Sequence, residues 1–380
     1  MKVGFLFNHD ALHQVRHTAP VIGELAGMPG VEVTVLTSSA AQEAAVRALI
    51  GAAAVRFVSL DPGAVAAALD RVLRFVAPFR RVAVLRRNLP AFAALDALVV
   101  PETTSLMLRD RFGLSGPGFV WIPHGAGDRS VGFRPVVRGF DLVLLAGPKL
   151  LRRMEGAGLV TAETGRVVGY PKFDTVDPAA PLPPLFGNGR PTVVYNPHFD
   201  PRLSSWYSMG PAILRWFGGQ DRYNLVFAPH VMLFRRRIHA SVEHRSVRWR
   251  PDVPAEVEGC PHILIDTGSA ASVDMSYTRA GDLYLGDASS QIYEWIARPR
   301  PAVFLDAAGA QWRDDPDFAH WRLGEVVGGV AALPDALERA LADPERFRGV
   351  QAAAFADTFS VTGEPASRRA ARAIVERFGR

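Results

Sequence analysis

One cysteine, Cys260, is present in 380 residues. It excludes an internal disulfide and any CxxC zinc or redox motif, and it points to a reducing, cytoplasmic compartment. The N-terminus, MKVGFLFNHD, offers only a short apolar run before Asn8, too little for the apolar core of a signal peptide. No stretch approaches the roughly 18 uncharged apolar residues of a membrane span. Several catalytic signatures are also missing. There is no Walker A loop, no GxSxG and no HExxH, and the loop after the first strand reads NHDALHQ rather than GxGxxG. These absences argue against a P-loop nucleotidase, an α/β-hydrolase, a zinc hydrolase and an ordinary dinucleotide-binding domain. The histidines fall on separate loops, so no metal and no cofactor is expected.

What is present suits a folded, two-domain protein. Hydrophobic residues make up 48% of the chain and charged residues 21%, with a formal net charge of +5. That excludes wholesale disorder and favours an anionic partner. Short Val/Leu/Ile runs alternate with helical stretches: Val3–Phe7, Val31–Leu36, Val55–Leu60, Leu95–Glu102, Phe119–Gly125, Phe140–Gly147 and Gly165–Pro171, with helices at 40–50 and 64–79. Buried parallel strands read in this way. VDPAAPLPPLFGNGRP then marks a linker, and PTVVYNPH, YNLVFAPH, HILIDTG, DLYLGDASS and PAVFLD begin a second series. The expected fold class is α/β, two doubly wound parallel-sheet domains facing a cleft. The expected divisions are 1–173, a linker over 174–190, 191–362, and a C-terminal helix over 363–380 that crosses back to the first domain.

Four groups of residues carry candidate chemistry. In DLYLGDASSQIYEW, Asp287 is expected to cap a helix, Ser289 and Ser290 to sit in its first turn, and Glu294 to reach a ribose. In WIPHGAGDRSVGF, His124 ends a strand beside glycines and suits a general base, with Asp128 and Arg129 as a polar pair beside it. NPHFDPR and FAPHVML place His198 and His230 after strands in the same Pro-His relation, with Arg202 close to the first. Asp266, Thr267 and Ser269 end a further strand. His9, His13 and His17 read as the solvated start of a helix. The interleaved Arg71, Arg74, Arg80, Arg81, Arg86 and Arg87 offer a face for an anionic membrane surface. No module for nucleic acid accompanies the charge.

The order PHG, NPH, PH, then D-x-SS followed by an acidic residue resembles the CDP-glycerol glycerophosphotransferase family of teichoic-acid-type synthesis. Ala288 stands where members of that family commonly show an aromatic residue. The resemblance implies the GT-B architecture and a nucleotide-activated donor as substrate, with His124 activating the acceptor hydroxyl. It further implies that His198, Arg202, His230, Ser289 and Ser290 meet the donor phosphates, and that Asp287, Glu294 and Thr267 meet the nucleoside. The acceptor would be a glycan or a lipid-linked molecule at the inner face of the membrane. A GT-B glycosyltransferase, a nucleotide-sugar 2-epimerase-like enzyme and a non-catalytic nucleotide-binding protein are the alternatives.

Overall fold

The computed structural model describes residues 1–8, 12–64, 66, 79–241 and 244–379. It divides into two compact units, one of Met1–Ala126, Phe133–Asp177 and Ala356–Arg380, the other of Gly127–Gly132 and Pro178–Phe355.

The first unit is built on a seven-stranded sheet. Its strands are β1 (Lys2–Phe7), β2 (Glu32–Thr37), β3 (Arg56–Ser59), β4 (Ala97–Val100), β5 (Gly118–Trp121), β6 (Leu142–Leu145) and β7 (Gly165–Val167). They lie in the order β3-β2-β1-β4-β5-β6-β7, and every pairing is parallel. Val3, Phe5 and Phe7 alternate along β1 toward one core, where Val35, Val99, Val120 and Leu144 join them. Ala370, Ala371 and Ile374 of the C-terminal helix Ala366–Phe378 are fully buried in the same core. That helix keeps Arg368, Arg372 and Arg377 outward and its small residues inward, which lets it lie close to the sheet. Its first N–H groups, at Ala366 and Ser367, donate to Asp174 at 3.3 and 2.6 Å. Gly118 makes room for the helix's last turn, because a Cβ there would stand 2.0 Å from the Phe378 ring.

The second unit holds a six-stranded sheet of β8 (Thr192–Asn196), β9 (Asn224–Phe227), β12 (Ile263–Ile265), β13 (Leu283–Gly286), β14 (Ala302–Leu305) and β15 (Glu325–Val327). The order is β12-β9-β8-β13-β14-β15, again parallel throughout. A separate antiparallel hairpin joins β10 (Ile238–Ser241) to β11 (Ser246–Trp249). Each large sheet has one place where the chain turns back across itself, between β1 and β4 and between β8 and β13. Beyond the carboxyl ends of such strands the flanking loops splay apart, which is where open α/β sheets take their ligands.

Every strand of the two large sheets except β15 falls on one of the short apolar runs, and most are buried on both faces, β3 and β12 less so. Most of the helix expected over 64–79 lies outside the described residues. Neither the hairpin nor the helices Leu333–Ala342 and Arg348–Thr358 is among the expected elements. The hairpin's outer face is apolar where solvent would favour polar groups.

Candidate functional site

In the second unit, three loops at the switch between β8 and β13 are bonded into one frame. Asn196, the last residue of β8, donates its side-chain amide to the Ala228 carbonyl at 2.6 Å. The Tyr284 hydroxyl donates to Asn196 Oδ1 at 3.3 Å. The His230 N–H reaches the Pro197 carbonyl at 2.9 Å. On this frame the two Pro-His loops repeat one turn. His198 Nδ1 accepts the N–H of Asp200 at 3.1 Å, and His230 Nδ1 accepts that of Met232 at 3.2 Å. A neutral imidazole that accepts at Nδ1 carries its proton on Nε2. Both rings therefore present an N–H donor, with ring centres 5.4 Å apart and Phe199 packed against each. Burial, reinforced by Arg129 and His320, holds the His198 pKa down at about 3. His198 is thus a neutral donor at pH 7.

Arg129 stands at this place because its neighbours are pinned. Asp128, expected beside His124, is instead 2% exposed in the second unit. Its carboxylate accepts from the Tyr293 hydroxyl at 2.6 Å and the His320 N–H at 3.1 Å. His320 Nδ1 lies 3.2 Å from the same oxygen, and its Nε2 lies 3.0 Å from the Asp287 carbonyl. The Ser130 N–H donates to Asp317 at 2.8 Å. With its carboxylate engaged in this way, Asp128 is an anchor for the segment 127–132 and not a proton-transfer group.

Asp287 also departs from expectation. Its carboxylate does not cap the helix that follows. It is fully buried and accepts the N–H groups of His198, Ser205 and Ala288 at 2.8, 2.6 and 2.6 Å and the Ser205 hydroxyl at 2.8 Å. Burial raises its pKa, and these four donors oppose the rise. No acceptor site is left over for a ribose. The helix is the single turn Gln291–Trp295, with Ser290 at its N-cap. Ser289 is buried and accepts the Gln291 N–H at 3.3 Å, whereas Ser290 is exposed. Glu294 is buried within that turn. Arg202 lies exposed on the His198 loop, its N–H bonded to Asp200 at 2.9 Å. Thr267 lines a recess of about 530 Å³ with Phe234, Ile263 and Ile265 beside the edge strand β12.

In the first unit, the loops after β1, β4 and β5 bring three imidazoles together. His124 Nδ1 is 3.1 Å from the Pro101 carbonyl. A carbonyl only accepts, so Nδ1 carries the proton and Nε2 keeps its lone pair. This is the opposite tautomer to His198 and His230. Protein around the ring lowers the His124 pKa, while the Pro101 bond and the Glu102 carboxylate work against that. His124 nonetheless keeps an exposed surface. Glu102 is itself held by the Thr104 N–H at 2.6 Å and by Arg81 at 3.5 Å.

His13 and His17 lie with ring centres 5.9 and 6.3 Å from His124. They are not the solvated helix start expected of them. Leu12–His17 is a short 3-10 helix whose last residue is only 3% exposed. Burial pushes the His17 pKa far down, with Lys172, His124 and His13 adding to the effect. His9 lies outside the described residues.

Of the arginine stretch expected to face a membrane, Arg80 and Arg81 are part-buried and bond within the first unit, whereas Arg86 and Arg87 are exposed. Arg80 bonds the Ser38 carbonyl. Arg81 reaches the Asn8 carbonyl at 3.0 Å and the Thr104 hydroxyl at 2.7 Å. Arg87 pairs with Asp61 at 3.5 Å, Arg86 is exposed, and Arg71 and Arg74 lie outside the described residues. No group of three His, Cys, Asp or Glu among the described residues could hold a metal ion, and no described helix is long and apolar enough to cross a membrane.

No family model matches the chain, and no curated protein does. Solved structures do. A protein of Listeria monocytogenes solved as a candidate UDP-N-acetylglucosamine 2-epimerase matches with a TM-score of 0.63 at 16% identity, over 100% of this chain and 96% of that one. The wall teichoic acid polymerase TagF, solved with CDPG, matches with a TM-score of 0.63 at 12% identity, over 100% and 89%. A glycosyltransferase from Rickettsia africae matches at 0.53 and 13%, over 99% and 98%. The chain has the GT-B fold. At these identities the likeness shows the fold alone.

Proposed function

We propose that the protein is a transferase acting on a nucleotide diphosphate-activated donor, CDP-glycerol first. It moves the glycerol-phosphate, or a related alditol-phosphate or glycosyl group, to a hydroxyl of a glycan or lipid-linked acceptor in cell-surface polymer synthesis inside the cell. The observation that carries this is the tautomer pattern. His198 and His230 are locked as N–H donors at the β8/β13 switch, while His124 is locked with a free lone pair at the end of β5.

In this proposal the second unit takes the donor. Its phosphates meet the two Nε2–H groups, Arg129 and the exposed Ser290, with Arg202 at the edge. Glu294 and Thr267 remain the proposed nucleoside contacts. The first unit offers the base. His124 Nε2 takes the proton of the acceptor hydroxyl as its oxygen attacks the outer phosphorus. The bond from that phosphorus to the bridging oxygen breaks, and its electron pair leaves on the nucleoside monophosphate. Donors aimed at that departing charge lower the barrier, because they are oriented before it develops. No metal or further cofactor is called on.

A glycosyltransferase or an epimerase-like enzyme is the second reading, favoured by the likeness to a candidate 2-epimerase and to a glycosyltransferase. Chemistry at a sugar carbon calls for carboxylates turned toward the ring. Here Asp128, Asp287 and Glu102 are all engaged by protein donors, which supports transfer by imidazole. A non-catalytic nucleotide-binding protein would need the donors but no base.

The first test is thermal stability with CDP, UDP, CDP-glycerol and UDP-N-acetylglucosamine. A ligand at about 100 times its Kd stabilises by about 2.7 kcal/mol, a rise of a few degrees in Tm. No rise with any of the four would contradict the proposal.

A further inference from the structure

The β10–β11 hairpin has one face built for water and one that is not. Its register sets Ile238 opposite Trp249 and Ala240 opposite Val247. Because side chains alternate along a strand, these four share one face. Val247, Trp249 and Ile238 are 68, 61 and 52% exposed. With Val361 they are the most exposed large apolar side chains among the described residues. The other face is anchored to the second unit. His239 and Ser241 are buried there, and His239 Nε2 bonds the Leu233 carbonyl at 2.9 Å. Arg250, just past β11, packs over the Phe234 ring at 4.1 Å and donates to the Pro251 carbonyl at 2.7 Å. Four exposed arginines, Arg235, Arg236, Arg237 and Arg245, flank the two strands in sequence, while Arg248, opposite His239 in the register, belongs to the other face.

We propose that this face docks on an anionic phospholipid surface. Charge and apolarity must both be satisfied by the occupant. A second copy of the chain would set arginines against arginines. A nucleic acid or an acidic peptide would meet the arginines and leave Ile238, Val247 and Trp249 in water. An anionic bilayer meets both, with guanidinium groups at the lipid phosphates and the tryptophan and aliphatic side chains at the boundary of headgroups and acyl chains. The docking does not depend on the reaction proposed above.

The test is co-sedimentation of the full chain with vesicles of phosphatidylcholine alone and of phosphatidylcholine with one quarter phosphatidylglycerol. Three proteins are compared: wild type, Val247→Ser with Trp249→Ser, and Arg235→Gln with Arg236→Gln and Arg237→Gln. Wild type is expected to bind the anionic vesicles and not the neutral ones, and each variant to lose at least about tenfold in partitioning. Unchanged Tm and circular dichroism show that each variant folds. Three results would overturn the proposal. One is absence of binding to anionic vesicles. Another is loss in the arginine variant alone, which is simple polyanion adsorption. The last is a dimer in light scattering that the Val247/Trp249 variant dissolves.

Discussion

The carboxylate of Asp287 accepts the backbone N–H of His198 at 2.8 Å, across 89 residues of sequence. This bond ties the end of β8 to the end of β13 at the place where the second sheet reverses. Ser205 adds two more donors to the same carboxylate. Asp287→Ala leaves these donors buried without an acceptor, at about 1–3 kcal/mol for each group left unsatisfied. The expected result is a fall of at least about 3 kcal/mol in urea unfolding, with nucleotide affinity lost as well. A stable Asp287→Ala protein that still binds nucleotide would show that the bond does not organise the site.

His198 and His230 are proposed to act through Nε2–H, so a side chain that keeps a donor near that position should keep most of the function. His198→Gln and His230→Gln are expected to hold nucleotide affinity within a few-fold. The alanine variants should lose about tenfold each, the worth of one hydrogen bond to an anion. Calorimetric titration with CDP and UDP reads the difference. Equal losses for Gln and Ala would mean that the rings serve packing alone.

His124→Ala should divide the two half-functions. Removing a general base costs about 100- to 10,000-fold in rate, whereas the Kd for nucleotide should change little, because the base takes no part in donor binding. A collapse of nucleotide affinity would contradict the assignment. The lowered pKa of His124 also predicts that activity persists somewhat below pH 6.5, the ordinary imidazole value.

Three histidines set the expected pH dependence of stability. His17, His124 and His198 all have pKa values below the ordinary imidazole value, that of His198 about 3. Between about pH 3 and 6.5 the unfolded chain therefore binds more protons at these three sites than the folded one. The three sites make stability rise with pH across that window, against the smaller opposite effect of the raised Asp287 pKa. Urea midpoints should be lower at pH 5 than at pH 7.5. His17→Gln, which removes one of the buried imidazoles, should shrink the difference. A midpoint that is flat across the window would contradict the burial of these rings.

Much of the fold was legible because a strand buried on both faces, such as Leu142–Leu145, is a continuous apolar run that few other structures use. The histidines were legible as strand-end residues. Their tautomers were not, since these depend on which backbone group each Nδ1 meets, Asp200 and Met232 in one unit and Pro101 in the other. Asp128 read as a reactive neighbour of His124 because adjacency in sequence says nothing about which side a loop turns to. Its partners, Tyr293 and His320, are 165 and 192 residues away. His320 carried no local signal, as it lies in a short 3-10 segment without glycine or proline beside it. Arg129 was visible only as half of a polar pair; nothing in its local sequence showed that its charge would help lower the pKa of His198.

In the proposed reaction the protein breaks the bond between the two phosphates of its donor. The nucleotide product measures this directly. With CDP-glycerol and a polyol-phosphate or glycan acceptor, chromatography should show CMP formed in step with acceptor modification, and none with His124→Ala. Release of CDP, release of UDP from UDP-N-acetylglucosamine, or conversion of that sugar without CMP from any donor would contradict it.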